Sequence, residues 1–513
     1  MIRYNSSKQL SIAEFATPFE ANLDPDNRWV KLSHNIPWDD LASVYHRKMN
    51  RHRGASTIDA RIVIGALIVK HRLKLSDIDT IEYIKENPYV QYFLGLKVYT
   101  SKQVFDPSLF VTIRKRLGVG EFDDMTVFLM KEEERRRDEE EKNNNRKAKR
   151  PEARKAKQES KYEKKDDQGN TTHKGTIKID ATITDADIKF PTDLELLNSA
   201  REKSEMLIDK LCIILEVEKK PRTYRRNARR DYLNLAKKKK KTKNDIRKGL
   251  RKQLSYLKRN IKSINYLLDV SHSAFLYLTR TDRKYFFVIQ ELYNQQKMMF
   301  DTKTNSCADR IVSIHQPHVR PMVRGKNKAK VEFGAKIGNC LHDGFARIDH
   351  LSWDAYNENS DLQKHVESYN RQHGFYPFRV LCDKIYLSRA NREYLKKLKI
   401  EVVGPVLGRP TKESQTKKAK AAMRKAAGER NEVEGCFGVA KRRYAMNNIR
   451  AKLSNTAESW IGAGFFVFNI QRFLSELLFV FIFKRIMLEY KSIVGRIFDK
   501  IEFINKKYPV VQF

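Results

Sequence analysis

Two short apolar segments, each closing on an aspartate, constrain the fold more than any other feature of this chain. They are Ile177-Lys178-Ile179-Asp180 and Val380-Leu381-Cys382-Asp383. Between them, residues 328–351 read as a β-hairpin. Val331, Phe333, Ala335 and Ile337 alternate on one side of Asp343-Gly344, and Phe345, Arg347 and Asp349 alternate on the other. Asp361 to Arg371 reads as a helix and Ile400 to Val406 as a strand. Lys417 to Arg443 reads as a helix carrying Glu432 and Glu434. A single strand-end aspartate is more often a turn or cap residue than a ligand. The order strand-Asp, hairpin, helix, strand-Asp, strand, helix-Glu is more specific. It predicts an α/β fold whose adjacent strand ends set carboxylates side by side.

Three hard oxygen donors with no His/Cys spacing around them suit Mg²⁺ rather than Zn²⁺. Such a set can hold two ions about 3.5–4 Å apart, which activate water or a 3′-hydroxyl and stabilise the leaving oxygen in phosphodiester transfer.

The charge balance points to the same partner class. The 513 residues hold 102 Lys and Arg against 63 Asp and Glu, a net +39, a field that attracts polyanions. Hydrophobic residues at 41% are enough for a sizeable core, and the length suggests about three domains. The excess charge is densest from Glu218 to Lys262, where 20 Lys and Arg face 3 acids, with Tyr224, Tyr232 and Tyr256 interleaved. This reads as a basic helical arm tracking phosphates, against the plainer reading of a solvated helix face. Residues 131–167 carry 15 basic and 12 acidic side chains and read as a solvated helix or linker.

The first 125 residues read as short helices. Ser76 is a helix cap, Pro88 forces a break, and Asp106-Pro107 starts a helix that Gly118 ends. Thr192 and Glu195 have capping-box spacing. Cys212, Cys307, Cys340, Cys382 and Cys436 are too scattered for a disulfide framework or a Cys-rich zinc module, and a reducing compartment fits. There is no Walker-A or G-x-G-x-x-G pattern, which argues against an ATP motor or a dinucleotide enzyme. The N-terminus lacks a secretory pattern. The apolar run Ile461 to Phe483 is broken by Asn469, Gln471, Arg472 and Glu476, as in a buried helix rather than a membrane span.

Several stretches together resemble bacterial insertion-sequence transposases of the DDE type. They include Asp180-Ala181-Thr182, Phe190-Pro191-Thr192-Asp193-Leu194, His315-Gln316-Pro317-His318-Val319-Arg320-Pro321 and Val331-Glu332-Phe333-Gly334-Ala335-Lys336. Asp383-Lys384-Ile385-Tyr386, Gly404-Pro405, Leu407-Gly408-Arg409-Pro410 and Arg430-Asn431-Glu432-Val433-Glu434-Gly435 follow in order. Phe93-Leu94-Gly95-Leu96 and Arg114-Lys115-Arg116-Leu117-Gly118 also fit.

The resemblance implies a ribonuclease H-like mixed sheet flanked by helices, with an all-α N-terminal domain. The expected organisation is a DNA-binding domain at 1–125, a charged linker at 126–172 and a catalytic domain at 173–455. A basic helical insertion falls at about 195–305, and an apolar helical segment follows at 456–513. The implied metal ligands are Asp180, Asp383 and Glu434, holding two Mg²⁺ ions with Mn²⁺ as substitute. Arg430 and Lys441 sit at the family's spacings around the Glu and are implied DNA or phosphate contacts. Glu432, without such partners, is the fallback. The related pattern often has a Tyr where this chain has Ala427. The implied partners are double-stranded DNA (terminal inverted repeats and target) and further copies of the chain in a dimer or larger synaptic assembly, with no membrane. The implied setting is the bacterial cytoplasm, at the nucleoid. A metal-dependent nuclease without strand transfer, or a DNA-binding protein with decayed catalysis, is the alternative.

Weaker candidates stand beside these. His315, His318, Arg320 and Arg324 could touch DNA or serve at a strand edge, and Trp353 could stack on a flipped base or simply pack. His342, Asp343 and His350 lack a third metal ligand, and Tyr444 near Arg442, Arg443 and Arg450 is a poor recombinase nucleophile.

Overall fold

The computed structural model describes residues 15, 22–49, 57–145, 163–323, 331–403 and 416–475. The motifs at 404–410, Arg324 and the apolar run beyond 475 lie outside these residues.

The N-terminal part is helical. It comprises α1 (Arg28–Asn35), α2 (Trp38–His46), α3 (Ala60–Leu73), α4 (Asp77–Glu86), α5 (Pro88–Phe93), α6 (Leu109–Arg116) and α7 (Val119–Asn145). Ser76 caps α4 by accepting from the Asp79 amide. Pro88 ends α4 and opens α5 at its first turn, where its missing N–H costs nothing. α6 stops at Arg116, two residues before Gly118, because Leu117 is already extended. The charged stretch after residue 131 continues α7 as far as Asn145, laced by pairs such as Arg135–Glu139 and Arg136–Glu132.

A small hairpin of β1 (Glu163–Lys165) and β2 (Thr171–Lys174) precedes a six-stranded mixed sheet. Its strands are β3 (Thr176–Asp185), β4 (Arg320–Val323), β5 (Val331–His342), β6 (Phe345–Ser352), β7 (Arg379–Leu381) and β8 (Glu401–Val402). The order is β4-β5-β3-β7-β8, with β6 also paired to β5. β5 runs antiparallel to β3 and β6, whereas β7 and β8 are parallel to β3. The β5–β6 hairpin turns through Asp343 and Gly344 at φ 48° and 79°, the left-handed pair that a two-residue hairpin loop demands. Gly334 is fixed by close approach: a Cβ there would lie 1.8 Å from the Thr184 carbonyl oxygen.

Between β3 and β4 the chain builds α8 (Asp193–Ile214), α9 (Arg225–Ala236), α10 (Lys243–Val270) and α11 (Arg280–Thr302). These helices own a separate apolar core that includes Leu197, Ile208, Leu257, Ile289 and Leu292. Thr192 caps α8, but Glu195 does not close a capping box, because its carboxylate accepts the Tyr232 hydroxyl of α9. The reciprocal box occurs instead at Thr242 and Asp245, at the start of α10.

α12 (Leu362–His373) and α13 (Arg389–Lys397) cover one face of the sheet, packing on Ile177, Ile179, Val380 and Cys382. The other face packs against α14 (Lys417–Arg443) and α15 (454–475). Ala335, Ile337 and Leu341 share one continuous core with Val433 and Phe437 of α14, Phe466 and Phe473 of α15, and the N-terminal helices. Two buried polar ties lock this junction. Arg347 of β6 grips Asp123 of α7 through two bonds of 2.9 and 2.6 Å, and the Asn469 amide of α15 bonds both backbone groups of Ala346. No helix among the described residues is long and apolar enough to cross a membrane.

Candidate active site

The parallel ladder between β3 and β7 pairs Thr176 with Arg379, Ile177 with Val380, and Lys178 with Leu381. Continuing that register brings Asp180 level with Asp383. Side chains alternate faces along a strand, so both carboxylates fall on the face of Lys178 and Leu381, toward α14. Asp180 is not at a strand end as the sequence suggests, because β3 goes on pairing with β5 as far as Asp185. What ends near Asp180 is the parallel ladder: after Leu381 the chain turns away, and Asp383 begins a short 3₁₀ turn over Lys384–Tyr386.

The two aspartates have different surroundings. Asp180 is mostly buried, accepts one hydrogen bond from the Ala181 amide (2.9 Å), and has its carboxyl pKa raised to about 6. Burial is the main cause. The Ala181 N–H and the Arg430 guanidinium offset part of it, and the negative charges of Glu358 and Glu434 add to it. Asp383 is exposed and caps its turn by accepting the Lys384 amide at 2.7 Å. It lines a cleft of about 190 Å³ with Cys382, Lys384, Val403, Ala427 and Arg430. The Cys382 thiol, pushed up to about 12 chiefly by burial, feels both Asp383 and Asp180.

α14 supplies the third side. Ala426, Val433, Cys436, Phe437 and Ala440 are its buried stripe, spaced as a helix requires. Arg430 and Glu434 flank that stripe one turn apart. The Arg430 guanidinium lies 3.9 Å from Asp180 and 3.3 Å from Glu434, bridging the two acids. Glu434 itself is half exposed. Glu432 is separated from this group, since its carboxylate pairs with the Lys178 ammonium on β3. Lys441 is half-buried in the last turn of α14. Ala427 lines the cleft beside Arg430, leaving open the space that a larger aromatic side chain would fill.

Hard oxygen donors at Asp180 and Asp383 fit a divalent cation, and an under-neutralised Asp180 carboxylate is what such a cation would relieve. Glu434 is turned to Arg430, and among the described residues no three His, Cys, Asp or Glu side chains converge closely enough to hold a metal ion. The positive charge now between Asp180 and Glu434 is the guanidinium.

The weaker candidates take structural places. His318 stacks edge-on against Trp353 at 4.4 Å, its pKa lowered to about 4 by burial, and the Trp353 indole donates to Glu458 (2.8 Å). His315 accepts from or donates to the Tyr285 hydroxyl (2.7 Å). His342 packs on Tyr369, and His350 bonds Asp361 (2.8 Å). Tyr444 is buried against Phe468. Glu358, which sequence reasoning missed, sits beside this site in a 3₁₀ turn over Glu358–Asp361, held by Lys336 at 2.9 Å. No local motif marks it; only the fold brings it near Asp180.

A mixed sheet of antiparallel and parallel strands, flanked by helices and carrying paired strand aspartates, is a ribonuclease H-like domain. Comparison with known families narrows the class. Residues 380–471 match the transposase DDE domain, and residues 17–116 match the transposase domain DUF772. Both segments are thus similar to insertion-sequence transposases, and the DDE family matched by the second generally uses divalent metal ions. It is 31% identical over 107 residues to an uncharacterized protein, ORF8 of the nfe locus, from Rhizobium meliloti, covering 20% of this chain and 50% of that relative. The chain therefore spans half the length of this curated relative. No solved structure matches it significantly.

Proposed function

We propose that this chain is a transposase that binds the terminal inverted repeats of its element as double-stranded DNA, cuts the strand at the element end and joins the freed end to target DNA. One observation supports the reading: the Arg430 guanidinium of α14 lies 3.9 Å from Asp180 and 3.3 Å from Glu434 and lines the cleft that Asp383 also lines. Asp180, Asp383 and Glu434 would hold the divalent metal, taken to be Mg²⁺ with Mn²⁺ as substitute. When bound, it supplies Lewis-acid stabilisation of the phosphoryl oxygens and an activated nucleophile.

The chain's own groups do the rest. Asp180 must shed its proton to serve as an oxygen donor. Arg430, released from its bridge between the acids, is placed to pair with a phosphate or to hold Glu434. Lys441 lies about two turns beyond Glu434 along α14 and is assigned a phosphate contact. The net +39 charge favours DNA association. The N-terminal helices are assigned to repeat recognition, and two ends must meet, so a dimer or larger synaptic assembly is expected.

The test uses labelled duplex carrying the DNA that flanks the gene, a second unlabelled duplex, and Mg²⁺ or Mn²⁺. Cleavage at a defined end followed by joining supports the proposal. Cleavage without joining favours a nuclease, and binding without cleavage favours a DNA-binding protein whose catalysis has decayed.

A further inference from the structure

A second cleft, of about 220 Å³, lies where the N-terminal helices meet the chain that leaves α14. Its polar lining is Lys74, Arg442, Asn447, Asn448, Arg450 and Trp460. No carboxylate lines it. Lys74 ends α3 in the left-handed region (φ 58°), and Ala445, which also lines the cleft, is left-handed too (φ 55°). Lys74 and Arg450 are exposed and have no acidic partner among the described residues. Arg442 donates its Nε to the Gly438 carbonyl (3.1 Å), which steadies the guanidinium on the last turn of α14.

Trp460 forms the inner wall. Its ring is held by the buried Lys70 ammonium at 4.8 Å and by edge-on contact with His71 at 5.2 Å. Lys70 itself is tied to Asp77, which is also gripped by Arg114. Asp77 is thus already paired with two buried cations. The Trp460 Nε1–H is buried, and no acceptor reaches it among the described residues. A lining of three cations and two amides, with a Trp460 indole N–H buried and unpartnered among the described residues, is rich in donors and short of charged acceptors. Such a surface calls for an anion.

We propose that this cleft binds a backbone phosphate of duplex DNA. The inference rests on the transposase reading above and extends it to a second DNA contact. The cleft is assembled from both matched segments: Lys74 lies in 17–116, while Arg442, Arg450 and Trp460 lie in 380–471. Arg442 follows Glu434 by eight residues on one helix, about 12 Å along its axis. A strand leaving the reactive bond covers that distance in about three to four nucleotides. Seating a phosphate here would tie the N-terminal helices and the acid-bearing helix to one DNA strand.

The test is binding of a 40-base-pair duplex across a salt series by the full chain. The double variant Lys74→Gln/Arg450→Gln removes two exposed cations without touching the core, and Trp460→Phe keeps the ring while deleting its donor. The double variant is expected to lower the slope of log affinity against log salt by about 0.9, the share of one lost phosphate contact. Trp460→Phe is expected to weaken binding about threefold with the wild-type slope, a loss of the size expected for one donor bond. Either variant binding as the wild type, with an unchanged melting temperature, overturns the proposal. A wild type that binds no duplex at all overturns the transposase reading as well, so the two failures are distinguishable.

Discussion

Asp180 on β3 and Asp383, just past the end of β7, each follow the last parallel pair of those strands, Lys178 with Leu381, by two residues. The relationship follows from strand pairing alone. It needs no long-range search by flexible side chains, and it places the acids on the face that α14 covers. Replacing either strand's register by one residue would turn its carboxylate to the opposite face.

Burial of Asp180 without full neutralisation implies a stability cost in the metal-free protein. Its pKa rises from 3.8 to about 6 on folding, so the folded state holds its proton more tightly than the unfolded chain does. Below about pH 4 both states are protonated and there is no cost. The cost grows through the interval and is complete above pH 6, at roughly 2–3 kcal/mol. Asp180→Asn should therefore raise the metal-free stability at pH 8 by about 1–3 kcal/mol and leave it unchanged at pH 3.5. Urea unfolding at the two pH values measures this. Equal effects at both would refute the assignment.

Arg430 lowers the Asp180 pKa while bridging to Glu434. Arg430→Gln should shift the pH midpoint of Asp180 upward in the metal-free protein. Carbon-13 NMR of selectively labelled aspartate reads the midpoint directly. A midpoint that stays at the wild-type value would mean the guanidinium does not stabilise this carboxylate.

The Arg347–Asp123 pair joins β6 to α7 in a largely buried position. Burial raises the Asp123 pKa despite its partner. Removing the guanidinium leaves a desolvated acid, so Arg347→Ala should cost about 3–5 kcal/mol by denaturant unfolding. The double variant Arg347→Leu/Asp123→Leu should recover most of that loss. A single variant within 1 kcal/mol of wild type would show that the junction does not depend on the pair.

Gly334→Ala should destabilise the sheet by more than 2 kcal/mol, because a Cβ cannot sit 1.8 Å from the Thr184 oxygen without parting β3 from β5. Thermal unfolding tests it. Unchanged stability would mean that β5 slides to admit the methyl group.

Much of this arrangement was legible in the sequence. The β5–β6 hairpin announced itself through alternation around Asp343-Gly344, and α14 was expected over Lys417 to Arg443, the span it occupies. Local patterns carry such features because each is a property of neighbours in the chain. Contacts decided by tertiary packing were not legible. Glu195 abandoned its capping box for Tyr232, Asp180 proved to lie mid-strand because β5 extends the pairing, and Glu358 reached the site through a turn with no motif. The choice between Glu432 and Glu434 was posed by spacing, whereas their different partners, Lys178 of β3 for Glu432 and Arg430 for Glu434, emerge only in the fold.

The most direct measurement is single-turnover cleavage of the element-end duplex by wild type and by four amide variants, Asp180→Asn, Asp383→Asn, Glu434→Gln and Glu432→Gln. The first three variants are expected to lose cleavage by at least about a hundredfold while keeping duplex affinity. Glu432→Gln, which removes only a half-exposed ion pair, should stay within about threefold of wild type. Cleavage surviving in Glu434→Gln and lost in Glu432→Gln would contradict the assignment of Glu434.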